Sequence, residues 1–127
     1  MRSILIVEDD PDVANLARLW LEREAYAVSH AADGKAALAA LAADPLPSLV
    51  LLDIMLPKID GYEVLRRIRA EPRTKALPVV MVTSLSREKE MQRGLKLGAN
   101  DYIVKPLAEL DFLERVSNAL GIKRPAK

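Results

Sequence analysis

Five times along this chain a short apolar run gives way to a segment with helical spacing, and that alternation constrains the fold more than any other feature. "SILIVE" reads as a strand, after which Asp10 suits a helix N-cap with Pro11 at the first helical position. The helix that follows is expected to place Val13, Leu16, Ala17, Trp20 and Leu21 on one face. "YAVSH", Tyr26 to His30, is a short second strand, and Asp33 and Gly34 punctuate before an alanine-rich helix running to about Ala43. "PSLVLLD" brings a third strand ending at Asp53; "LPKIDG" is turn chemistry, and a helix spans about Tyr62 to Ala70. "LPVVMVTS" is the fourth strand, followed by the helix "REKEMQRGLKLG", which Gly98 stops. "DYIVKP" is the fifth strand, ended by Pro106. A last helix places Leu110, Leu113, Val116 and Leu120 on one face and stops at Gly121.

Strands that are each followed by a helix make a parallel sheet covered on both faces. The first, third and fourth strands are the most apolar and belong in the centre, while "YAVSH" suits an edge. The expected fold is therefore a three-layer α/β/α, flavodoxin-like arrangement with a five-stranded parallel sheet in the order 2-1-3-4-5. In that order ligands bind where the first and third strands diverge, outside their carboxyl ends. A chain of 127 residues suits one domain. A domain of this size buries about two-thirds of its unfolded surface and needs no covalent staple. The expected boundaries are 1–121 for the domain and 122–127, "IKRPAK", for a short basic tail.

Composition removes several function classes. With no cysteine, disulfides, thiol catalysis and thiolate metal sites are excluded. The net charge of +1, from 19 basic and 18 acidic residues, leaves no electrostatic footprint for nucleic acid or for a membrane surface. No apolar run approaches the length of a membrane span, and "MRSILIVEDD" lacks the apolar stretch of a signal peptide. A cytoplasmic protein is the expectation.

The strand order brings distant residues to one rim. Glu8 and Asp9 follow the first strand, Asp53 ends the third, Thr83 the fourth, and Lys105 the fifth. Singly, each has a plainer reading. Asp10 is a helix cap, Glu8 and Asp9 are loop acids, Thr83 is a strand threonine and Lys105 a surface lysine. His30 reads as a strand-end surface histidine and Trp20 as helix packing. Asp53 is harder to dismiss, because it emerges from the buried run "LVLL". Lysine followed directly by proline after an apolar strand is also less common. Together, several carboxylates within reach of one another suit a hard, oxygen-seeking cation, and magnesium keeps waters that a phosphate can replace.

These residues together resemble the receiver domain of bacterial two-component response regulators, from Ile4 to about Leu120. The resemblance rests on the acidic pair in "VEDD", the acceptor in "LLDIMLPKIDG", the hydroxyl in "MVTS" and the lysine in "GANDYIVKP". It implies that Asp53 is the phosphoacceptor, taking a phosphoryl group from a sensor histidine kinase or a histidine phosphotransfer protein. It implies Mg2+ held by Asp9, Asp53 and the Met55 backbone carbonyl, with Glu8 helping through water. Thr83 and Lys105 would bind phosphoryl oxygens. Tyr102 would be the switch aromatic, turning inward as Thr83 moves and remodelling the face of the fourth helix, fifth strand and fifth helix. Such a protein is a signalling phosphoacceptor, not an enzyme: it catalyses only its own phosphorylation and dephosphorylation. It would contact a downstream protein target or an output domain, as a single-domain regulator or as a fragment of a larger one, with no direct nucleic-acid or membrane partner.

Met55 and Leu85, two residues beyond Asp53 and Thr83, are both apolar and bear on how long a phosphate lasts; Ser84 stands where alanine is common in the family. Rival readings fit less well. A haloacid-dehalogenase-type phosphatase places a second aspartate where this chain has Met55. A flavodoxin-like cofactor module needs a Ser/Thr/Gly-rich loop after the first strand, and "EDDP" would repel its phosphate. A pseudo-receiver would lack a site residue, and none is missing.

Overall fold

The computed structural model describes residues 2–84 and 88–122. Five strands, β1 (Ser3–Val7), β2 (Ala27–Ala31), β3 (Leu49–Asp53), β4 (Val79–Thr83) and β5 (Asp101–Val104), alternate with five helices. The helices are α1 (Pro11–Arg23), α2 (Gly34–Leu41), α3 (Gly61–Ala70), α4 (Glu88–Lys96) and α5 (Glu109–Ala119). All strand pairs are parallel and the order is β2-β1-β3-β4-β5, as the alternation implied.

Each central strand sends alternate residues to opposite layers, the period-two geometry of a strand. Leu5, Val7, Val50, Leu52, Val79 and Met81 face the layer of α2 and α3. Ile4, Ile6, Leu49, Leu51, Val80 and Val82 face α1 and α5. This double burial explains why β1, β3 and β4 read as unbroken apolar runs. Side-chain caps begin the first three helices: Asp10 accepts from the Asp12 amide at 2.9 Å, Asp33 from Ala36 at 2.7 Å, and Asp60 from Glu63 at 3.0 Å.

Two helical faces differ from expectation. In α1 the buried line is Ala14, Ala17 and Leu21, while Leu16 is 38% exposed. Alanine lets the helix lie close to the sheet, so Ala14 and Ala17 make the contact together with Leu21. In α5 the buried residues are Phe112, Leu113, Val116 and Ser117; Leu110, in the first turn, lies to one side of that stripe and is 63% exposed. Trp20 packs as expected, with its ring 5.7 Å from that of Phe112. The helix α2 ends at Leu41, short of Ala43. Among the described residues no helix is long and apolar enough to cross a membrane.

Candidate functional site

The carboxyl ends of β1 and β3 lie side by side, with Val7 paired to Leu52. The next residue on each strand is therefore an acid facing an acid. Glu8 is only 2% exposed and Asp53 3%, whereas Asp9 is exposed. One carboxylate oxygen from each of Glu8, Asp9 and Asp53 lies within 4.8 Å of the others.

Lys105 enters from the end of β5. Its amide donates to the Thr83 carbonyl at 2.8 Å, and the Lys105–Pro106 peptide bond is cis. Its ammonium reaches Glu8 Oε1 at 2.6 Å and Asp53 Oδ2 at 3.0 Å. One lysine thus bridges the two buried acids. Their remaining oxygens meet backbone donors: the Asp10 amide donates to Glu8 Oε2 at 3.2 Å and the Met55 amide to Asp53 Oδ1 at 3.2 Å.

The two ends of the Glu8–Lys105 pair respond differently to being buried. Burial pushes Glu8 up to about 7; the hydrogen bond from Lys105 opposes this, and the Asp53 charge adds to it. For Lys105, burial favours the neutral amine, but its hydrogen bonds and charge contacts with Glu8 and Asp53 win, so its pKa is raised. The lysine gains from the site, while the glutamate is held there against its own solvation. Three carboxylates and one ammonium leave an excess of negative charge on hard oxygen donors. That donor set fits a divalent cation of the magnesium type.

The turn after β3 is set by a close approach. The first residue of α3 is Gly61, and a Cβ there would lie 2.2 Å from the Asp53 carbonyl oxygen. Only glycine lets the helix start against the strand end. Met55 sits in this turn and is 61% exposed. An open cleft of about 630 Å3 runs from Asp9 and Met55 toward Tyr62, Glu90 and Arg93.

Thr83 is fully buried at the end of β4. Tyr102 is 3% exposed and already inward, its hydroxyl donating to the Glu90 carbonyl at 2.7 Å. Tyr102, expected to turn inward as Thr83 moves, is inward in this structure, where α4 offers its hydroxyl a partner. Leu85 lies outside the described residues. His30 is exposed as expected, yet its Nε2 lies 2.7 Å from the Glu8 carbonyl oxygen. Sequence reasoning did not single out Tyr62, whose hydroxyl also reaches Glu90, or the pair Lys58–Asp33 at 3.4 Å, which links the loops before α3 and α2. Lys58 holds φ 68, a backbone state that no local motif signals for a lysine.

The sequence matches the response regulator receiver domain over residues 4–117. It is 41% identical over 116 residues to the DNA-binding dual master transcriptional regulator RpaA of Synechocystis, covering 91% of this chain and 48% of that protein. The chain therefore spans about half the length of that relative. A putative response regulator from Chloroflexus aurantiacus shares the fold with a TM-score of 0.90 at 38% identity, covering 94% of this chain and 98% of that one. The receiver domain of a Pseudomonas aeruginosa sensor histidine kinase, solved with a magnesium ion coordinated in its active-site cleft, aligns with a TM-score of 0.86 at 28% identity, covering 94% and 98%. An acidic rim at the β1–β3 divergence, a parallel sheet in the order 2-1-3-4-5 and a match over most of the chain lead to one conclusion: this chain belongs to the family of response regulator receiver domains.

Proposed function

We propose that this chain is a phosphorylation-activated receiver that takes a phosphoryl group onto Asp53 from a sensor histidine kinase or histidine phosphotransfer protein. The observation that carries the reading is the pairing at the rim: a buried carboxylate at a strand end, beside two further acids and bridged by one lysine. Asp53 is the nucleophile; its carboxylate oxygen forms a bond to phosphorus as the phosphorus–nitrogen bond to the donor imidazole breaks. Glu8, Asp9, Asp53 and the Met55 carbonyl are the groups that would hold Mg2+, which when bound neutralises charge on the transferring phosphoryl group. Lys105 already lies within 3.0 Å of Asp53 and would turn its ammonium to a phosphoryl oxygen; the Thr83 hydroxyl would take another. With Met55 in place of a second acid, no side chain two residues beyond Asp53 serves as general acid or base for ester turnover. The chemistry then stops at the protein's own phosphorylation and dephosphorylation.

The domain is assigned to residues 1–121, with 122–127 as a basic tail whose residues 123–127 lie outside those described. Phosphorylation signals through the face of α4, β5 and α5 to a downstream protein or an output domain. Phosphate on Asp53 favours the conformation in which Tyr102 lies inward against α4, which is a shift of population. A cytoplasmic setting agrees with a histidine-kinase donor.

The test is covalent. Intact mass after treatment with acetyl phosphate and magnesium should show one phosphoryl adduct in the wild type. Asp53→Asn should show none, and chelating the metal should suppress the wild-type adduct. An adduct of equal yield in Asp53→Asn refutes the assignment.

A further inference from the structure

The helix α4 has one buried residue, Gly94. A glycine in a helix interior ordinarily weakens the helix. Here the space it leaves is filled: a Cβ at Gly94 would lie 2.1 Å from the Tyr102 hydroxyl oxygen and 2.9 Å from its Cζ. That hydroxyl accepts from the Gly94 amide at 3.1 Å and donates to the Glu90 carbonyl at 2.7 Å. Residues 90 and 94 are the pair whose carbonyl and amide an α-helix joins to each other. The Tyr102 hydroxyl thus bridges one rung of the α4 backbone. The Tyr62 hydroxyl donates to the same Glu90 carbonyl at 3.0 Å, and the Arg93 guanidinium lies 4.1 Å from the centre of the Tyr62 ring.

We propose that Gly94 and Tyr62 are positioning residues for Tyr102: Gly94 leaves room for its hydroxyl against the α4 backbone, and Tyr62 holds the Glu90 carbonyl where that hydroxyl reaches it. A carbonyl oxygen has two lone pairs, so the two phenols do not compete for it. Together with the partly buried Met91, these contacts tie α4 to β5 and α3. The inward position of Tyr102 is then a property of a socket built by two other residues. Burial raises the Tyr62 pKa and pushes Tyr102 up to about 12, so both phenols remain donors throughout the physiological range. The consequence for signalling rests on the reading of Tyr102 as the switch residue; the socket itself does not.

The test uses the full chain and four variants: Gly94→Ala, Tyr62→Phe, Tyr102→Leu, and Gly94→Ala combined with Tyr102→Leu. A helix glycine with no such role gains melting temperature on replacement by alanine in either background. The socket predicts a change of sign: Gly94→Ala lowers the melting temperature alone and raises it when Tyr102 is leucine. Ring-labelled tyrosine NMR supplies the second readout. The Tyr102 signal should move toward that of an exposed tyrosine in Gly94→Ala, and partly so in Tyr62→Phe. In Gly94→Ala the alkaline titration of Tyr102 should fall from about 12 toward the ordinary value near 10. A melting-temperature gain in both backgrounds, or an unmoved Tyr102 signal in Tyr62→Phe and Gly94→Ala, overturns the proposal. If Gly94→Ala does not fold, the sign reversal is judged on the combined variant, which should fold, and the ring signal on Tyr62→Phe. A Tyr102 displaced outward while phosphorylation still changes amide exchange across β5 and α5 supports the socket and removes Tyr102 from the switch.

Discussion

Asp53 and Gly94 are both buried, but by different means. Asp53 ends a strand whose five residues are all buried, paired on each side to another strand of the central sheet. Gly94 is the lone buried residue of a helix whose remaining anchors are two phenol hydroxyls, a cation over a ring, and partly buried Met91 and Leu97. The rim crowds like charges and needs a stiff apolar frame to hold them together. The α4 segment is held by a few directional contacts and a little apolar packing. The function proposed for this chain draws on both kinds of construction, a stiff frame for the reacting groups and a more lightly held helix beside it.

The largest expected effect tests the frame against the helix. Leu52 is fully buried in β3, next to Asp53. Leu52→Ala should cost about 2–5 kcal/mol, the range for a large-to-small change in a packed core. Met91→Ala, on α4, should cost less than about 1.5 kcal/mol, because its surroundings are partly solvent. Urea unfolding of the two variants, compared at constant slope, gives both numbers. Equal costs would mean that α4 is packed as firmly as the sheet.

How much of this was legible in the sequence follows from the same physics. The central strands were, because a strand covered on both faces must be apolar throughout. The acids were, because Glu8, Asp9 and Asp53 stand directly at the ends of those runs and the strand order makes the ends neighbours. Helical faces were less so. Leu16 and Leu110 looked like core residues because large apolar side chains dominate any periodicity; in α1 the expected Ala17 and Leu21 are buried, and Ala14, which the periodicity passed over, completes the contact. Tyr62, Glu90 and Gly94 carry no local signal at all, since the hydroxyl–carbonyl contacts that join them come from separate elements. Arg69 is similar. Its guanidinium donates to the carbonyls of Gly98, Lys75 and Leu77 and to the Asn100 side chain, but in sequence it is one arginine among several on a polar helix.

The next effect concerns charge held within the frame. Two glutamates mark the extremes. Glu63, half-buried on α3, is pulled down to about 2 by hydrogen bonds from Arg66 and then Arg67. Glu8 is pushed up to about 7 by burial. Between its ordinary value of 4.5 and about 7, the folded protein binds a proton at Glu8 that the unfolded chain has released. The Glu8 contribution is therefore favourable at low pH and is lost as pH rises through that window. Glu8→Gln stays neutral and avoids the loss. In metal-free protein, Glu8→Gln should gain stability over the wild type from pH 4.5 to pH 8, by up to about 3 kcal/mol, the full width of the shift. Urea unfolding of both proteins at several pH values, in the presence of chelator, gives the difference. A difference that stays flat across the window would mean that Glu8 is ionised in the folded state throughout it.

The smallest effect is kinetic and concerns an open part of the rim. Hydrolysis of an aspartyl phosphate needs a water in line with the bond from Asp53 to phosphorus. Met55 follows Asp53 by two residues, is 61% exposed, and lines the cleft that also holds Asp9. A thioether neither accepts a proton from that water nor orients it, whereas a carboxamide in the same place does the second. Leu85, the other side chain expected to flank the approach, lies outside the described residues, so the test rests on Met55 alone. The wild-type phosphate should be long-lived, and Met55→Asn should shorten its lifetime by roughly tenfold, about 1.4 kcal/mol of barrier. Such a change needs no alteration of the buried frame, and melting temperatures should stay close. The measurement is the decay of the phosphoryl mass adduct after the donor is removed, with both proteins at the same magnesium concentration. Wild type that loses its phosphate within seconds, or a variant no faster than wild type, would show that the mouth of the cleft does not control the water. Control would then lie with Thr83, Lys105 and the buried acids, and the rim would govern both the making and the breaking of the bond.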